Sequence, residues 1–380
     1  MPEFTGTGAL EIALDVLGVG SGDEVIVPGF MWISSISAII RSRAIPVLVD
    51  SDQTLGVDPE DLKVKISERT KVIMVVPMLG GSSKVGEIME VVRNVNNSRK
   101  KDNLSKIFVL EDCAQSLGAH AFGIPGSSQA SLPEGCYKLG TFGDIGTFSL
   151  QLNKDITAGE GGMVVTRDKE LNDRVDALHN AGYIKKEKNN INWYGDIPYG
   201  WGHGRRMSEL QGAVARVQLK KLDTILDTIR KNHSFFEEFF KKQGIKLRKR
   251  AYQNNPGDTG YYLCFHLPEN LDDNTAISKG REIAKDLKDK GFNVWFLHDF
   301  EVHIYYNIEP LVKKFPMNDG SPWEDPKNSF HTQYKYDRGA LPNLDHLLIR
   351  TIGLNMPSKM SDNTRDNMMN DLLVTLKKLY

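Results

Sequence analysis

Lys154 lies in Thr147-Phe148-Ser149-Leu150-Gln151-Leu152-Asn153-Lys154-Asp155-Ile156-Thr157-Ala158-Gly159-Glu160-Gly161-Gly162, just ahead of a glycine-rich turn. Upstream, the apolar run Ile107-Phe108-Val109-Leu110 ends in Glu111-Asp112-Cys113-Ala114-Gln115. A lysine before such a turn, and a carboxylate at the end of a buried strand, suit pyridoxal 5'-phosphate chemistry. The lysine forms a Schiff base with the cofactor's aldehyde, and the aspartate keeps the pyridine nitrogen protonated so that the ring accepts electrons. Neither residue is diagnostic alone, because most lysines are solvated and many strand-end aspartates cap a helix or turn. Their order and surroundings carry the reading.

The elements that must hold these two groups alternate along the first part of the chain. Gly8 to Leu17 has the pattern of an amphipathic helix, and Glu24-Val25-Ile26-Val27-Pro28 that of a short buried strand. A helix over Ile33 to Ile40 and strands at Ile45 to Asp50 and Thr70 to Met78 follow. A polar helix precedes the strand at Ile107, and Gly162-Met163-Val164-Val165-Thr166 forms another strand after the lysine. Near-continuous apolar strands separated by helices predict an α/β fold with a mainly parallel sheet covered on both faces. A long helical stretch from Ser208 to about Lys241 leads out of this layer. The remainder mixes strands such as Tyr261 to Phe265 with helices such as Ala276 to Lys290, which predicts a smaller α+β domain. The division expected is a large domain over 1–240 and a small C-terminal domain over 241–380. Asn254 to Asp258 and Met317 to Pro322 have the composition of surface loops. Gly18-Val19-Gly20-Ser21-Gly22-Asp23 imitates a dinucleotide-binding glycine pattern but follows a helix and opens a strand, the reverse of what that fingerprint requires. It is expected to be a turn.

Bulk properties exclude several partners. A chain of 380 residues, 40 % hydrophobic and 26 % charged, can build two sizeable cores. A net charge of -1 provides no electrostatic case for nucleic acid or an acidic membrane surface. Cys113, Cys136 and Cys264 have no paired or CxxC spacing, which argues for a reducing compartment and against structural zinc. With no stretch long enough to span a membrane and no signal-like N-terminus, the expected location is cytoplasmic and no metal is expected.

Taken in order, the motifs resemble the DegT-type sugar aminotransferase family, whose architecture is fold type I of the pyridoxal phosphate enzymes. The matching segments are Thr5-Gly6-Thr7-Gly8-Ala9-Leu10, Gly22 to Pro28, Glu111 to Gln115, Gly143 to Ser149, Lys154 to Gly162 and Arg206-Met207-Ser208-Glu209-Leu210-Gln211. The C-terminal part matches less closely. Its segments Val294-Trp295-Phe296, Gly339-Ala340-Leu341-Pro342 and Met356-Pro357-Ser358-Lys359 are most similar to enzymes that form 8-amino-3,8-dideoxy-manno-octulosonate, aminating the terminal carbon of an oxidised eight-carbon ulosonic acid.

The resemblance implies a seven-stranded sheet in the large, cofactor-binding domain, and it implies roles. Lys154 would hold the cofactor and then shuttle the substrate proton, for which an amine that ordinarily titrates near ~10.4 must be desolvated or placed near positive charge. Asp112 would face the pyridine nitrogen and Gln115 the ring oxygen. Gly6 and Thr7 open the first helix, whose free N–H groups favour a phosphate, and Ser149 would add a hydroxyl. Trp32 would stack on the cofactor or, alternatively, fill the core between helix and sheet. His179 matches a position near the substrate, with a core or surface histidine as the plain alternative. Family members that dehydrate sugars carry histidine where this chain has Lys154, so amino transfer is favoured, with glutamate as the expected donor and a keto or aldehyde sugar as acceptor.

Three departures qualify the match. The family has a helix and strand ahead of the Gly-Thr turn, whereas this sequence starts almost at the turn, leaving a shortened homologue and a fragment as alternatives. Gly204 stands where the family places an asparagine that reaches a neighbouring subunit's phosphate; His203 or Arg205 is expected to substitute in a homodimer. Gly123 to Leu139 has the appearance of an insertion, and Gln151 replaces a common histidine. The alternatives kept open are a pyridoxal phosphate-dependent sugar dehydratase and a non-catalytic homologue acting as a binding or regulatory partner.

Overall fold

The computed structural model describes residues 1–126, 134–182, 185–187, 190–191, 200–252 and 257–377. Part of the expected Gly123–Leu139 insertion and part of the expected Asn254–Asp258 loop therefore lie outside the described residues.

In chain order the first elements are β1 (Pro2–Glu3), α1 (Gly6–Val16), β2 (Glu24–Pro28), α2 (Ile33–Arg41), β3 (Ile45–Val49), α3 (Pro59–Lys65), β4 (Thr70–Val75), α4 (Val85–Lys101) and β5 (Phe108–Asp112). A hairpin of β6 (His120–Gly123) and β7 (Gly135–Lys138) precedes β8 (Ile145–Ser149), β9 (Gly162–Val165) and α5 (Lys169–His179). Short strands β10 (Lys185–Glu187) and β11 (Asn190–Ile191) come before α6 (Glu209–Leu219) and α7 (Leu222–Lys242). The C-terminal part contains β12 (Tyr262–His266), α8 (Asp273–Asp289), β13 (Val294–Phe296), α9 (Glu309–Val312), α10 (Pro342–Leu348), β14 (Thr351–Asn355) and α11 (Asp362–Leu376).

The main sheet has seven strands in the order β1-β9-β8-β5-β4-β2-β3. Pairings from β3 through β8 are parallel, while β9 runs antiparallel to both β8 and β1. Every residue of β2, β3 and β8 is buried, as the uninterrupted apolar runs predict for a sheet with helices on both faces. The expected mainly parallel sheet is therefore what forms. The Gly18–Asp23 segment is a turn, with Asp23 N donating to the Gly20 carbonyl at 3.1 Å.

A second, three-stranded antiparallel sheet orders its strands β12-β14-β13. Its core takes Phe265, Val294, Ile352 and Leu372, together with Ile229, Phe236 and Phe240 from α7. The single long helix expected over Ser208 to Lys241 is two helices. Ser208 caps α6 with a reciprocal capping box through Gln211, and the chain breaks at Lys220–Lys221 before α7 begins. Only α7 buries a face in the core; α6 buries no residue, and Ala215 alone of its apolar side chains packs, half-buried, against the Leu150–Leu226 cluster.

The segment after β13 returns to the large sheet. Phe300, Ile304, Tyr305, Leu341 and Leu344 share a core with α1, β2 and α2. Met31 N donates to the His303 carbonyl and Tyr305 N to the Gly29 carbonyl, both at 3.0 Å. This close approach needs Gly29, since a Cβ there would lie 2.2 Å from Leu341 Cδ1.

Candidate active site

Alternation along β5 separates two acids. Glu111 points to one side of the sheet, where it accepts N–H groups from Gly140, Phe142 and Gly143 at 2.7–2.8 Å and so fixes the approach to β8. Asp112 points to the other side, into a cavity of about 720 Å³ at the C-terminal ends of the parallel strands. Asp112 is buried; Ser35 Oγ donates to its Oδ2 at 2.8 Å and Ala114 N to its Oδ1 at 3.2 Å. Burial raises its carboxyl above the usual range, against the pull of those donors and the Lys154 charge.

Lys154 lines the same cavity from the loop between β8 and β9. The loop is held locally: Lys154 N donates to the Gln151 carbonyl, Ala158 N and Thr157 Oγ1 donate to the Leu150 carbonyl, and Ile156 packs with Leu150, Leu222 and Leu226. Burial lowers the Lys154 amine from its usual value, while Asp112 and Asp155 draw it back up. That is the direction an amine must move to act as a base near neutral pH.

At one end of the cavity α1 begins. Thr5 caps the helix through Gly8 N at 3.0 Å, and the first-turn N–H groups of Gly6 and Thr7 have no intrahelical acceptor. Ser149 stands against this turn: a Cβ on Gly6 would come within 2.8 Å of Ser149 Cβ and 3.1 Å of its Oγ. Gln115 accepts Leu79 N on its Oε1 at 3.0 Å, which leaves its NH₂ end as a donor. Trp32, 42 % exposed, lines the cavity and does not fill the core. Thus Gly6, Thr7, Trp32, Asp112, Gln115, Ser149 and Lys154, drawn from separate segments, line one space.

These residues fit pyridoxal 5'-phosphate. The helix start and the Ser149 hydroxyl lie so close that a Cβ on Gly6 would collide with Ser149, and together they suit an anion; an amine whose basicity burial lowers can condense with an aldehyde, a buried carboxylate can face a ring nitrogen, and a half-exposed indole provides a flat apolar wall.

The other three sequence candidates lie off this wall. His179 is buried at the end of α5 with Nδ1 2.8 Å from Glu3 Oε1, the environment of a core histidine. His203 Nε2 is 2.7 Å from Asp15 Oδ2, and Arg205 pairs with Glu11, so both sit on the outer side of α1.

Several lining residues carried no legible motif. His303 rests with its ring 4.7 Å from Trp32 and stacked 3.9 Å from Phe300, which in turn lies 4.9 Å from Trp295. His303 Nδ1 faces the Phe300 carbonyl at 3.1 Å; a carbonyl only accepts, so Nδ1 carries the proton. Burial, with the Lys154 charge, holds this histidine neutral with its pKa down to about 4. Tyr261, Tyr262, Asn293 and Asn355 complete a neutral, aromatic and amide wall. In the sequence Trp295 stands out only as part of the Val294–Phe296 segment. Asp155, also lining the cavity, was visible only as the neighbour of Lys154.

Among the described residues no helix is long and apolar enough to cross a membrane. Residues 4–315 match the model of the DegT/DnrJ/EryC1/StrS aminotransferase family. The chain is 31 % identical over 276 residues to an L-glutamine:2-deoxy-scyllo-inosose aminotransferase of Streptomyces lividus, a match covering 71 % of this chain and 59 % of that protein. It is 39 % identical over 222 residues to a GDP-perosamine synthase of Escherichia coli O157:H7, covering 58 % and 53 %. The chain therefore matches less than two thirds of the length of either relative. A solved sugar aminotransferase of Micromonospora echinospora has the same fold, with a TM-score of 0.73 at 22 % identity over 98 % of this chain and 86 % of that one.

Proposed function

This chain belongs to the DegT/DnrJ/EryC1/StrS aminotransferase family, and from that premise we propose that it is a cytoplasmic pyridoxal 5'-phosphate-dependent aminotransferase. It moves an amino group from an amino acid, with glutamate as donor, to a keto or aldehyde sugar. The observation that carries this is the convergence of Lys154, Asp112, Ser149 and the Gly6–Thr7 helix start on one cavity. Three free cysteines suit the reducing compartment.

When bound, pyridoxal 5'-phosphate supplies an electron-accepting ring to a carbon that loses its proton. The chain supplies the rest. Gly6, Thr7 and Ser149 would hold the phosphate, and Trp32 would form a wall for the ring. Asp112, a carboxylate whose position Ser35 and Ala114 fix, would hold a proton on the ring nitrogen. Lys154 would accept and return the substrate proton on Nζ, the role its lowered basicity suits. A histidine at this place could not form the covalent tether, which favours amino transfer over dehydration. The neutral aromatic and amide wall of Trp295, His303, Asn293 and Asn355 suits a polyhydroxylated ring. Trp295 belongs to a segment that resembles ulosonic-acid aminating enzymes, so an ulosonic acid is the first acceptor to try.

The functional unit we propose is a homodimer. Helix α6 exposes Leu210, Val214 and Val217, and Trp201 nearby is 91 % exposed; a run of bare apolar side chains of this kind marks a docking face. Gln211 Nε2 donates to the Glu160 carbonyl at 3.2 Å, which joins this face to the glycine turn after Lys154. A two-fold arrangement would bring His203 or Arg205 to the second copy's phosphate site.

Borohydride reduction after incubation with pyridoxal 5'-phosphate, followed by peptide mapping, tests the first proposal. The reduced cofactor is expected on Lys154, and its appearance on another lysine, or on none, would sink the reading. For the dimer, light scattering of the wild type and Leu210→Glu should show two subunits and one; a monomeric wild type would refute it.

A further inference from the structure

Two consecutive serines in the first turn of α2 serve different parts of the cavity. Ser35 Oγ donates to Asp112 Oδ2 at 2.8 Å. Ser34 Oγ lies 2.8 Å from Thr7 Oγ1, in the first turn of α1. Adjacent side chains of a helix point about 100° apart, so one turn can reach both places. Ser35 fixes the carboxylate, whereas Ser34 has no part in the chemistry above.

Ser34 is not needed to join the two helices. α1 and α2 share a core through Leu10, Ala13, Ile36 and Ile39, and Arg41 of α2 pairs with Glu11 of α1 at 3.0 Å. The hydroxyl pair stands instead at the cavity, which both Thr7 and Ser34 line. Both residues are half-buried. There water could satisfy either hydroxyl, so the bond between them adds little to folding.

The proton count decides what the pair can offer. Each hydroxyl has one proton and two lone pairs. One proton is used within the pair, and one is left over. On distance alone either oxygen could be the donor, but the surroundings of Thr7 choose between them. Gly8 N is taken by Thr5 Oγ1 at 3.0 Å, while the N–H groups of Gly6 and Thr7 have no intrahelical acceptor. Ser149 stands against the same turn, and it accepts Gln151 N at 3.4 Å, which leaves its own proton to donate. An anion drawn to these donors requires Thr7 to donate as well, because oxygen lone pairs facing a negative charge would repel it. The bond inside the pair then runs from Ser34 Oγ to Thr7 Oγ1. A hydrogen bond to a charged acceptor is roughly twice as strong as a neutral one, and a hydroxyl that accepts a bond donates a stronger one.

We propose that Ser34 is a positioning residue for the phosphate of pyridoxal 5'-phosphate: it donates to Thr7 Oγ1 and so aims the Thr7 proton at the anion. This rests on the aminotransferase reading, from which the phosphate comes. The first turn of α2 then supports both ends of the cofactor, Ser34 through Thr7 and Ser35 through Asp112.

The test compares pyridoxal 5'-phosphate with pyridoxal, which has the same ring and aldehyde and no phosphate. Link formation at Lys154 is trapped by borohydride and quantified on the Lys154 peptide against aldehyde concentration. Ser34→Ala should need roughly fivefold more pyridoxal 5'-phosphate, the value of one hydrogen bond, and no more pyridoxal than the wild type. Equal losses with both aldehydes would make Ser34 a structural tie, and no loss with either would make it a bystander; each overturns the proposal. Thr7→Val removes the hydroxyl and keeps the N–H. In that background Ser34→Ala should cause no further loss, and a further loss of the same size overturns the relay through Thr7. Inorganic phosphate probes the same place without an aldehyde. Its phosphorus-31 line should broaden with the wild type and clearly less with Ser34→Ala, and equal broadening overturns the proposal. Failure of the wild type to form a link at Lys154 with either aldehyde would instead refute the aminotransferase reading, and the phosphorus-31 comparison would still decide the role of Ser34.

Discussion

Replacing Asp112 by asparagine separates what this side chain does for folding from what it does for chemistry. The amide has nearly the same shape. Its Oδ1 keeps the N–H of Ala114, and the Ser35 hydroxyl, now donating to Oδ2 at 2.8 Å, can rotate to accept from the new Nδ2. Neither hydrogen bond need be lost, so neither the usual ~0.5–1.5 kcal/mol per bond nor the larger penalty for an orphaned buried donor applies. The charge effect has the opposite sign. Burial raises the folded-state carboxyl above its unfolded value, so the ionised form is disfavoured by folding. Stability is fully present below the ordinary aspartate range and declines as pH rises through the raised value. Asparagine removes that decline, and at neutral pH the variant should melt at or above the wild-type temperature. Turnover should fall by ~10²-fold or more, equivalent to about 2.7 kcal/mol at ~1.4 kcal/mol per decade, because a neutral amide cannot hold the ring nitrogen protonated as charge develops. Calorimetry across pH, with turnover measured by mass spectrometry of the aminated sugar, checks both halves. Near-normal turnover would make Asp112 a cap for Ala114 and nothing more, and a variant that fails to fold would refute the separation of roles.

Two further substitutions probe the frame around the site. Arg248 and Asp258 form a buried ion pair at 2.7 Å, and Asp258 also accepts the backbone N–H and hydroxyl of Ser82. Arg248→Met leaves that carboxylate buried with its cation gone and should cost about 3–5 kcal/mol in urea unfolding, with a large part recovered by Arg248→Met/Asp258→Asn; an unchanged midpoint would refute the assigned role. Gly6→Ala would drive a Cβ to 2.8 Å from Ser149 Cβ. It should weaken pyridoxal 5'-phosphate binding by roughly tenfold, the value of one hydrogen bond to a charged group at ~1.5 kcal/mol, and unaltered affinity by fluorescence titration would show that the cradle lies elsewhere.

How much of this was legible in the sequence follows from range. The strands of the main sheet are unbroken runs of Val, Ile and Leu, buried on both faces, so β2, β3, β4 and β5 were readable to within a few residues. Lys154 and Asp112 were readable for a related reason: each is fixed by its immediate chain neighbours, one by a glycine turn, the other by the strand that ends on it. The break between α6 and α7 was not, because Lys220–Lys221 differs little from helix interior, and it matters only once one helix packs and the other stays bare. His179 and His303 show the same limit from opposite sides. In the chain both are histidines near other polar residues; in the fold Glu3 captures the first in the core, while the contact of Met31 with the His303 backbone brings the second to Trp32 and the cavity. Residues local to a turn or a strand end were therefore determined by the sequence alone. The far wall of the cavity, and the burial that shifts Lys154, Asp112 and Asp155 from their ordinary values, were decided by tertiary structure, because desolvation depends on which distant segments exclude water from a group.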